Sequence, residues 1–467
     1  MGMASIDTPP SDPVHPLAGK RILLLSAYDA TSHQHWRQQL YVMFAQCHWT
    51  TLSLPARYFA WRVRGNSLSW AFNHRRELTD NHDLVIATSL CDLASLRGFV
   101  PELARIPTLL YFHENQLAYP ESGQQHASVE PAMVNLYSAL CADRLAFNSE
   151  WNRRSFLSGI EALLRKLPDA VPAGLPALLQ AKSVVIPVPL EDSLFGSDGG
   201  TGRDAGRDSR ESDRRRPGPL LLLQSAHSRH PWRSASAVDL NGWVHGVSDS
   251  RVSLPASLNV RFKNPQPLTK VASCIELIWN HRHEHDKGPE RLLLTVQALI
   301  QRGLRFRLHL LGQRFRQRPA AFVQLEQQLA DYYAAQGMEP GINRFIEDRQ
   351  EYEAILRAAD MVLSTADHDF QGLSMLEAAA LGCIAIAPDA LAYPEYLPAA
   401  GLYPVQGLSL EQQATGAADR IVYFARQIHS TESGRPSAAD VPDSVLALKA
   451  SSLAPLWQQC LLDLLKV

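Results

Sequence analysis

Residues 360–398 read DMVLSTADHDFQGLSMLEAAALGCIAIAPDALAYPEYLP. The apolar run Met361–Ser364 predicts a strand, and the segment from Ser374 carries apolar residues at helical spacing until Gly382 ends it. The next apolar run, Ile384–Ile386, predicts a second strand. Because strand, helix and strand follow one another directly, this stretch favours a parallel sheet covered by helices.

The loop between the first strand and the helix carries Asp367, Asp369 and Gly372, and the helix carries Glu377. A helix N-terminus presents free N–H groups and partial positive charge, which suits a phosphate. Gly372 would let a ligand approach the backbone, and Glu377 could accept hydrogen bonds from a ribose. Alternatively, Glu377 is a carboxylate that complements the helix dipole. The loop therefore predicts a phosphate site, with both interpretations of Glu377 open.

Length and composition place few limits on the function. A chain of 467 residues predicts two domains, and 46% hydrophobic and 20% charged residues are typical of a globular protein. The net charge of −2 does not require a nucleic-acid partner. Six scattered cysteines argue against a zinc site or a disulfide framework and favour a reducing, cytoplasmic location. No apolar run is long enough for a membrane span, and no signal peptide is evident.

The first half of the chain also alternates strands and helices. The strand Arg21–Leu25 leads into a loop that carries Ser32 and His33. The strand Thr108–Phe112 ends at His113, which is followed by Glu114, Asn115 and Gln116. Since ligands bind at the carboxyl ends of parallel strands, these polar side chains are predicted to line a site.

Residues 54–72, LPARYFAWRVRGNSLSWAF, place Arg57, Arg62 and Arg64 among aromatic residues. Arginine beside aromatic side chains suits RNA, through phosphate contacts and base stacking. The alternative is a loop that packs its aromatic residues on the domain and leaves the arginines in solvent.

In the second half, the strand Cys274–Trp279 is followed by NHRHEHDKG at residues 280–288. His281, His283 and His285 alternate, as metal ligands on one side of an extended segment would. In the other interpretation, Arg282 and Lys287 hold a pyrophosphate opposite the loop at 367–374. The sequence favours this diphosphate clamp.

Five segments carry a resemblance to a known family: LPARYFAWRVRG, YFHENQLAYP, IWNHRHEHDKGPE, DFQGLSMLEAAALGC and PDALAYPEY. The Arg282/Lys287 pair, followed by a carboxylate, Gly372 and Glu377, resembles family 4 of the retaining glycosyltransferases. Together the segments resemble the tRNA-queuosine mannosyltransferases. That family moves mannose from GDP-mannose to the cyclopentenediol of queuosine in the anticodon of tRNA-Asp. One departure is Asp369, where the wider family has glutamate.

The resemblance implies an α/β fold of the GT-B class, with two Rossmann-like domains whose parallel sheets face each other across a cleft. The predicted domains are a disordered tail at 1–16, an acceptor domain at 17–190, a largely disordered insert at 191–264, a donor domain at 265–440 and a C-terminal helix at 441–467 that crosses back to the first domain. The insert is a departure from the family. The insert is dense in both charges and poor in apolar residues, which is typical of disorder.

The resemblance also implies roles for individual residues. The catalytic set is His113, Arg282, Lys287 and Asp369. The donor-binding set is Ser32, His33, Asn280, Arg282, Lys287, His368, Gly372, Leu373, Ser374 and Glu377. The acceptor set, for queuosine-containing tRNA, is Arg57, Arg62, Arg64, Glu114, Asn115 and Gln116.

The GT-B class usually needs no metal, so no cofactor beyond the substrate GDP-mannose is expected. However, Asp367-His368-Asp369 spells the D-x-D pattern of metal-dependent transferases of another fold. Two alternatives stay open. One is a GT-B enzyme that uses another sugar nucleotide on a lipid or small-molecule acceptor. The other is an inactive binding module, which would be expected to have lost Lys287 or Glu377.

Overall fold

The computed structural model describes residues 15–119, 129–196, 274–315, 318–430 and 441–466. The predicted tail and insert lie mostly outside the described residues.

The first domain is built on a six-stranded sheet in which every pairing is parallel. Its strands are β1 (Arg21–Asp29), β2 (His48–Pro55), β3 (Leu84–Thr88), β4 (Thr108–Phe112), β5 (Arg144–Phe147) and β6 (Ser183–Val185). Its helices are α1 (Thr31–Met43), α2 (Phe59–Asn73), α3 (Arg75–Leu78), α4 (Leu93–Phe99), α5 (Glu130–Cys141), α6 (Glu150–Lys166) and α7 (Leu175–Ala181). The spatial order β2-β1-β3-β4-β5-β6 reverses direction between β1 and β3. In a doubly wound sheet, this is the point where a ligand crevice opens.

The second domain contains a five-stranded parallel sheet. Its strands are β7 (Ile275–Trp279), β8 (Phe306–Leu310), β9 (Met361–Leu363), β10 (Ile384–Pro388) and β11 (Leu402–Tyr403). The helices that follow in this part of the chain are α8 (Pro289–Gln301), α9 (Ala321–Gln336), α10 (Arg349–Ala358), α11 (Leu373–Ala380), α12 (Tyr393–Tyr396), α13 (Leu410–Ser430), α14 (Asp443–Leu446) and α15 (Ala450–Leu464). The order β11-β10-β9-β7-β8 reverses between β7 and β9. The loops after β7 and β9 are those in which the sequence predicts the phosphate site.

Strands β3 and β4 are buried along their whole length, which explains their continuous apolar sequences. On one face of the sheet, Trp36 of α1 stacks on Tyr111 with 4.6 Å between ring centroids. Trp457 of α15 lies 5.3 Å from the same tyrosine ring. The last helix of the chain therefore packs on the first domain.

Two local predictions need correction. The segment that could have been an aromatic-packed loop is helix α2, which covers Phe59–Asn73. Helix α1 begins at Thr31, so Ser32 and His33 lie in its first turn and not in a loop. Within the described residues, no helix has both the length and the apolar character to cross a membrane.

Candidate active site

The loops after β7 and β9 are fastened to each other by their backbones. The carbonyl of Asp286 accepts hydrogen bonds from the N–H groups of Asp367 (2.9 Å) and His368 (3.1 Å). The hydroxyl of Thr365 donates to the carbonyl of Lys287 at 2.8 Å. Gly288 has a φ of 61°, and a Cβ there would overlap the carbonyl of Thr365. Only glycine fits this close approach, which fixes the position of Lys287.

Lys287 and Arg282 lie in different environments. The ammonium of Lys287 is largely buried, donates to the carbonyl of His368 at 2.7 Å, and lies 3.1 Å from Asp286 and 3.9 Å from Asp369. The side chain of Arg282 is 51% exposed and pairs with Glu284 at 2.9 Å. One cation is therefore fixed inside the loop cluster, and the other can reorient towards a ligand.

Asp369 fixes the turn that leads into α11. Its Oδ1 accepts from the N–H of Gly372 at 2.9 Å, and its Oδ2 accepts from the Tyr393 hydroxyl at 3.1 Å. Burial alone would raise the pKa of this carboxyl, but Lys287, His281 and the two hydrogen bonds together lower the pKa below its usual value. The carboxylate is therefore ionised. It accepts hydrogen bonds from Gly372 and Tyr393 and also faces Lys287.

The start of α11 lies closely against the Tyr393 ring. Gly372 has a φ of 77°, and a Cβ there would come within 2.6 Å of the Tyr393 ring. The first N–H groups of a helix, here those of Leu373 and Ser374, have no partner inside the helix. The carbonyl of Ser374 accepts from the Asn280 amide at 2.9 Å, which holds this helix start against the end of β7.

Glu377 lies on the second turn of α11 and has a strong partner. Its Oε1 accepts from Arg349 at 2.9 Å, and Arg349 also pairs with Glu353 at 2.8 Å. The side chain of Glu377 is thus held by an ion pair and is not merely a complement to the helix dipole. Nearby, the Tyr352 hydroxyl accepts from Asn280 at 3.0 Å.

On the opposite side, His113 follows β4 and is buried. Its ring stacks on His33 of α1 with 3.9 Å between centroids, and Trp36 meets it edge-on at 4.8 Å. Burial, and to a smaller extent His33 and His35, hold the pKa of His113 well below its usual value. In the part of the chain that the structure describes, Nε2 of His113 has no hydrogen-bond partner. A neutral imidazole can pair with a hydroxyl through such an unpartnered ring nitrogen.

The three residues after His113 differ in their availability. Glu114 accepts from the Tyr119 hydroxyl at 2.8 Å and from Gln116 at 3.3 Å. The amide of Asn115 is committed to the fold, because it donates to Asn152 and accepts from the N–H groups of the following loop. We therefore find no hydrogen-bonding atom of Asn115 left for an acceptor.

Charges from the two domains influence each other across the cleft. Burial raises the pKa of Glu114, whereas Arg282 and Lys287 of the second domain lower it. His368 lies between Tyr119 and Trp151 of the first domain, with centroid distances of 4.5 and 5.8 Å. Burial lowers the pKa of His368 to about 4, so the ring is neutral near pH 7. The carboxyl ends of both sheets thus meet at one site.

The remaining predicted residues lie further from this centre or are already paired. Ser32 is exposed on α1. Arg64 pairs with Asp92 at 2.9 Å and with Glu130 at 3.1 Å, and Arg62 donates to the carbonyl of Pro55. Arg57 is exposed, with its guanidinium 5.6 Å from the centre of the Tyr58 ring.

The three alternating histidines lie in different surroundings. His281 packs beside Trp279, His283 stacks on Phe322 at 4.2 Å, and His285 is exposed, so the three rings do not converge. Among the described residues, no group of three or more histidine, cysteine, aspartate or glutamate side chains could hold a metal ion.

The two carboxylates of the D-x-D pattern also point to different partners. Asp367 pairs with Arg291, whereas Asp369 faces Lys287 and Tyr393.

Sequence reasoning missed the partners that orient the site: Arg349, Tyr119, Tyr393 and Glu395. Tyr119, Tyr393 and Glu395 lie in segments that carried the resemblance, but spacing alone gave no reason to pair them with residues elsewhere. Arg349 opens an amphipathic helix, where an arginine ordinarily faces solvent.

Comparisons with known proteins bear on both domains. Residues 21–190 match the model of the tRNA-queuosine alpha-mannosyltransferase N-terminal family. The chain is 29% identical over 351 residues to the tRNA-queuosine alpha-mannosyltransferase of Drosophila melanogaster, a match that covers 75% of this chain and 74% of that protein.

Solved structures resemble the whole fold at low identity. A glycosyltransferase from Rickettsia africae matches with a TM-score of 0.57 and 11% identity, over 96% of this chain and 99% of its own. Sucrose-phosphate synthase from Thermosynechococcus elongatus matches with a TM-score of 0.55 and 14% identity, over 95% and 99%. Anabaena HepE in complex with UDP matches with a TM-score of 0.54 and 11% identity, over 95% and 100%.

The predicted GT-B fold is therefore confirmed. The predicted resemblance is confirmed as well, because residues 21–190 match the model of the tRNA-queuosine alpha-mannosyltransferase N-terminal family and the chain has the fold of GT-B glycosyltransferases.

Proposed function

We propose that the protein is a retaining glycosyltransferase that moves mannose from GDP-mannose to the cyclopentenediol of queuosine in the anticodon of tRNA-Asp. The observation that carries this proposal is the match, over three quarters of the chain, to a protein named tRNA-queuosine alpha-mannosyltransferase. The residues support it chemically, because the loops of one domain carry two cations and a helix start, and a neutral histidine follows a strand of the other domain.

The donor diphosphate would lie between Lys287, Arg282 and the N–H groups at the start of α11. These groups stabilise the negative charge that develops on the leaving nucleoside diphosphate. Glu377 would accept from the ribose hydroxyls, with Arg349 fixing its orientation. In this proposal the protein's own cations fill the role that a metal has in other transferases, and no cofactor takes part.

The sugar would lie towards His113, whose buried Nε2 has no hydrogen-bond partner among the described residues. Asp369 and the neighbouring His368 would border the sugar, with Asp369 acting mainly through its charge and its hold on the turn. In the reaction, the bond from the anomeric carbon to the phosphate oxygen breaks, and a bond from that carbon to a queuosine hydroxyl oxygen forms on the same face. The hydroxyl proton passes to the departing diphosphate, which therefore serves as the base. Because the acceptor attacks an oxocarbenium-like carbon from the front face, retention requires no protein nucleophile.

With a transfer RNA as the acceptor, we propose that the reaction takes place in the cytoplasm. The wild-type chain, incubated with GDP-mannose and queuosine-containing tRNA-Asp, should convert queuosine to its mannosylated form in nucleoside mass analysis. The matched control is the same tRNA with guanosine in place of queuosine, which should gain no sugar. An unchanged queuosine peak, together with turnover of another sugar nucleotide or of a lipid acceptor, would contradict the proposal.

A further inference from the structure

Helix α2 carries an apolar stripe that faces solvent. Val63 and Trp70 on one side of the helix are buried in the domain core. On another side, residues spaced three and four positions apart form a row. This row consists of Tyr58, Trp61, Leu68 and Phe72, whose side chains are exposed, and of Gly65, which has no side chain. A water-facing helix side is ordinarily polar, so this exposed stripe indicates a binding surface.

Within the stripe, Trp61 lies flat on its own helix. A Cβ added at Gly65 would overlap the indole ring of Trp61, so the ring occupies the space that any other residue would fill. The side chain is nevertheless 52% exposed, because its other face is turned to solvent. A supported aromatic ring with one open face is the arrangement that base stacking requires.

Tyr58 lies beside this ring at the start of the helix. It has a φ of 55° and is 71% exposed, with the Arg57 guanidinium 5.6 Å from the centre of its ring. A non-glycine residue rarely adopts this backbone conformation, which here places a second aromatic ring in solvent.

The start of α2 borders the cleft. Phe59 meets Tyr28 of β1 edge-on at 5.7 Å. Burial raises the pKa of Tyr28, and Glu114, Arg282 and Glu284 also act on it, which shows that the tyrosine hydroxyl lies near the charged groups of the cleft. An acceptor held at α2 would therefore be adjacent to the reaction centre.

The charges around the stripe suit a polyanion. Arg57 is exposed and Arg62 is half-buried on the same helix start. Arg64 pairs with both Asp92 and Glu130, and thereby neutralises carboxylates that would repel phosphates. Arginine next to open aromatic rings is the combination that binds unpaired RNA.

We infer that Tyr58, Trp61 and Gly65 form a stacking platform for an unpaired base of the RNA acceptor, next to the nucleoside that enters the cleft. This inference rests on the proposed function for the identity of the acceptor. A protein helix or a second copy of the chain are the rival occupants of the stripe, and they would use Leu68 and Phe72 as much as Trp61.

The test is binding of a labelled RNA hairpin with the tRNA-Asp anticodon loop, carrying guanosine instead of queuosine, to full-length variants by fluorescence anisotropy. Trp61→Ala should weaken binding by about 10-fold, the size of a lost base stack. Trp61→Phe should retain most of the affinity. The matched control Phe72→Ala, at the far end of the stripe, should bind as the wild type does.

Gly65→Ala gives a sharper test, since it keeps Trp61 and displaces its ring. Alanine favours a helix more than glycine does, so the melting temperature should stay the same or rise while RNA affinity falls about 10-fold. Wild-type affinity in Trp61→Ala or Gly65→Ala would overturn the platform, as would an equal loss in Phe72→Ala.

This experiment separates the platform from the proposed function, because the hairpin lacks queuosine and no donor is present. Hairpin binding that depends on Trp61, in a chain that transfers no mannose, would support the platform and overturn the function. Mannosylation of queuosine by Trp61→Ala at the wild-type KM for tRNA would support the function and overturn the platform.

Discussion

The ammonium of Lys287 lies where two loops of the second domain meet. It is directed by a backbone carbonyl and faces two carboxylates, so its position does not depend on a ligand. A preorganised cation stabilises a leaving diphosphate without the cost of reorganising its surroundings during the reaction. In the proposed reaction, we therefore expect Lys287 to contribute more to leaving-group stabilisation than the exposed Arg282 does.

Replacing Lys287 with alanine should lower the rate of sugar transfer by about 100-fold or more, since a preorganised electrostatic contact is removed. Binding of the RNA hairpin should be unchanged, because α2 belongs to the other domain. Lys20→Ala, which removes a surface ion pair with Asp83, is the control and should transfer at the wild-type rate. Near-normal transfer by a folded Lys287→Ala chain would rule out the clamp.

Buried histidines give the protein a specific dependence on pH. Burial lowers the pKa of His33 to about 3, whereas an unfolded histidine titrates near pH 6.5. Below pH 6.5 the unfolded chain therefore binds a proton that folded His33 does not accept. Each such group lowers the free energy of unfolding by about 1.4 kcal/mol per pH unit as the pH falls.

Between pH 6.5 and pH 4, the free energy of unfolding of His33→Phe should therefore fall less steeply than that of the wild type, by about 1.4 kcal/mol per pH unit. The phenyl ring preserves a partner that can stack on His113. Urea unfolding at a series of pH values measures this. His48→Gln, at an exposed histidine, serves as the control and should keep the wild-type slope. Parallel curves for His33→Phe and the wild type would show that His33 does not carry the effect.

At the scale of elements, side-chain caps decide how well helix starts can be predicted. Helices α6 and α10 begin after Ser149 and Asp348, whose side chains accept from backbone N–H groups and thereby mark both starts in the sequence. Helices α1 and α2 follow Ala30 and Tyr58, which provide no side-chain cap. Their starts carry no local signal, and the sequence prediction was wrong there.

The strands were predictable for a different reason. A strand buried on both faces, such as β4, needs a continuous apolar run, and the flanking polar residues mark its ends. Because parallel strands bring their carboxyl ends to one edge, the sequence also indicated which loops would share a site.

The partners within the site could not be predicted, since they depend on tertiary contacts. Glu377 pairs with Arg349 from the preceding helix, and Asp369 accepts from Tyr393 in the following one. Asparagine is a common ligand-binding residue, but Asn115 hydrogen-bonds to Asn152 in a buried network. The local sequence around a polar residue at a strand end is the same whether the side chain contacts a ligand or hydrogen-bonds to other residues of the protein.

At the scale of the whole molecule, direct hydrogen bonds join the first domain to the second. The hydroxyl of Ser149 donates to the carbonyl of Phe370 at 2.6 Å, and the hydroxyl of Tyr396 donates to the carbonyl of Asn148 at 2.7 Å. The side-chain amide of Gln371 bonds both the N–H and the carbonyl of Val188. The segment that contains Asp369 and Gly372 is thereby tied to the first domain.

Glu395 of the second domain completes this junction at the N-terminus of α6. Its two carboxylate oxygens accept from the N–H groups of Glu150 (2.8 Å) and Trp151 (2.6 Å). Burial raises the pKa of Glu395, whereas the two hydrogen bonds and Arg154 lower it. A carboxylate at a helix N-terminus is favoured by the helix dipole, so this contact stabilises one domain through a residue of the other.

Glu395→Ala should lower the free energy of unfolding by about 1–2 kcal/mol, the usual cost of losing a helix cap. The variant Glu395→Gln retains an acceptor but no charge, so its free energy of unfolding should lie between those of the wild type and Glu395→Ala. Because the donor groups lie in the second domain and His113 in the first, loosening the junction should reduce the transfer rate more than the affinity for the donor. Urea unfolding and donor titration measure the two effects, with Glu102→Ala at an exposed ion pair as the control. If Glu395→Ala weakened donor binding and left the transfer rate of the bound complex intact, the junction would have no part in aligning the two halves of the site.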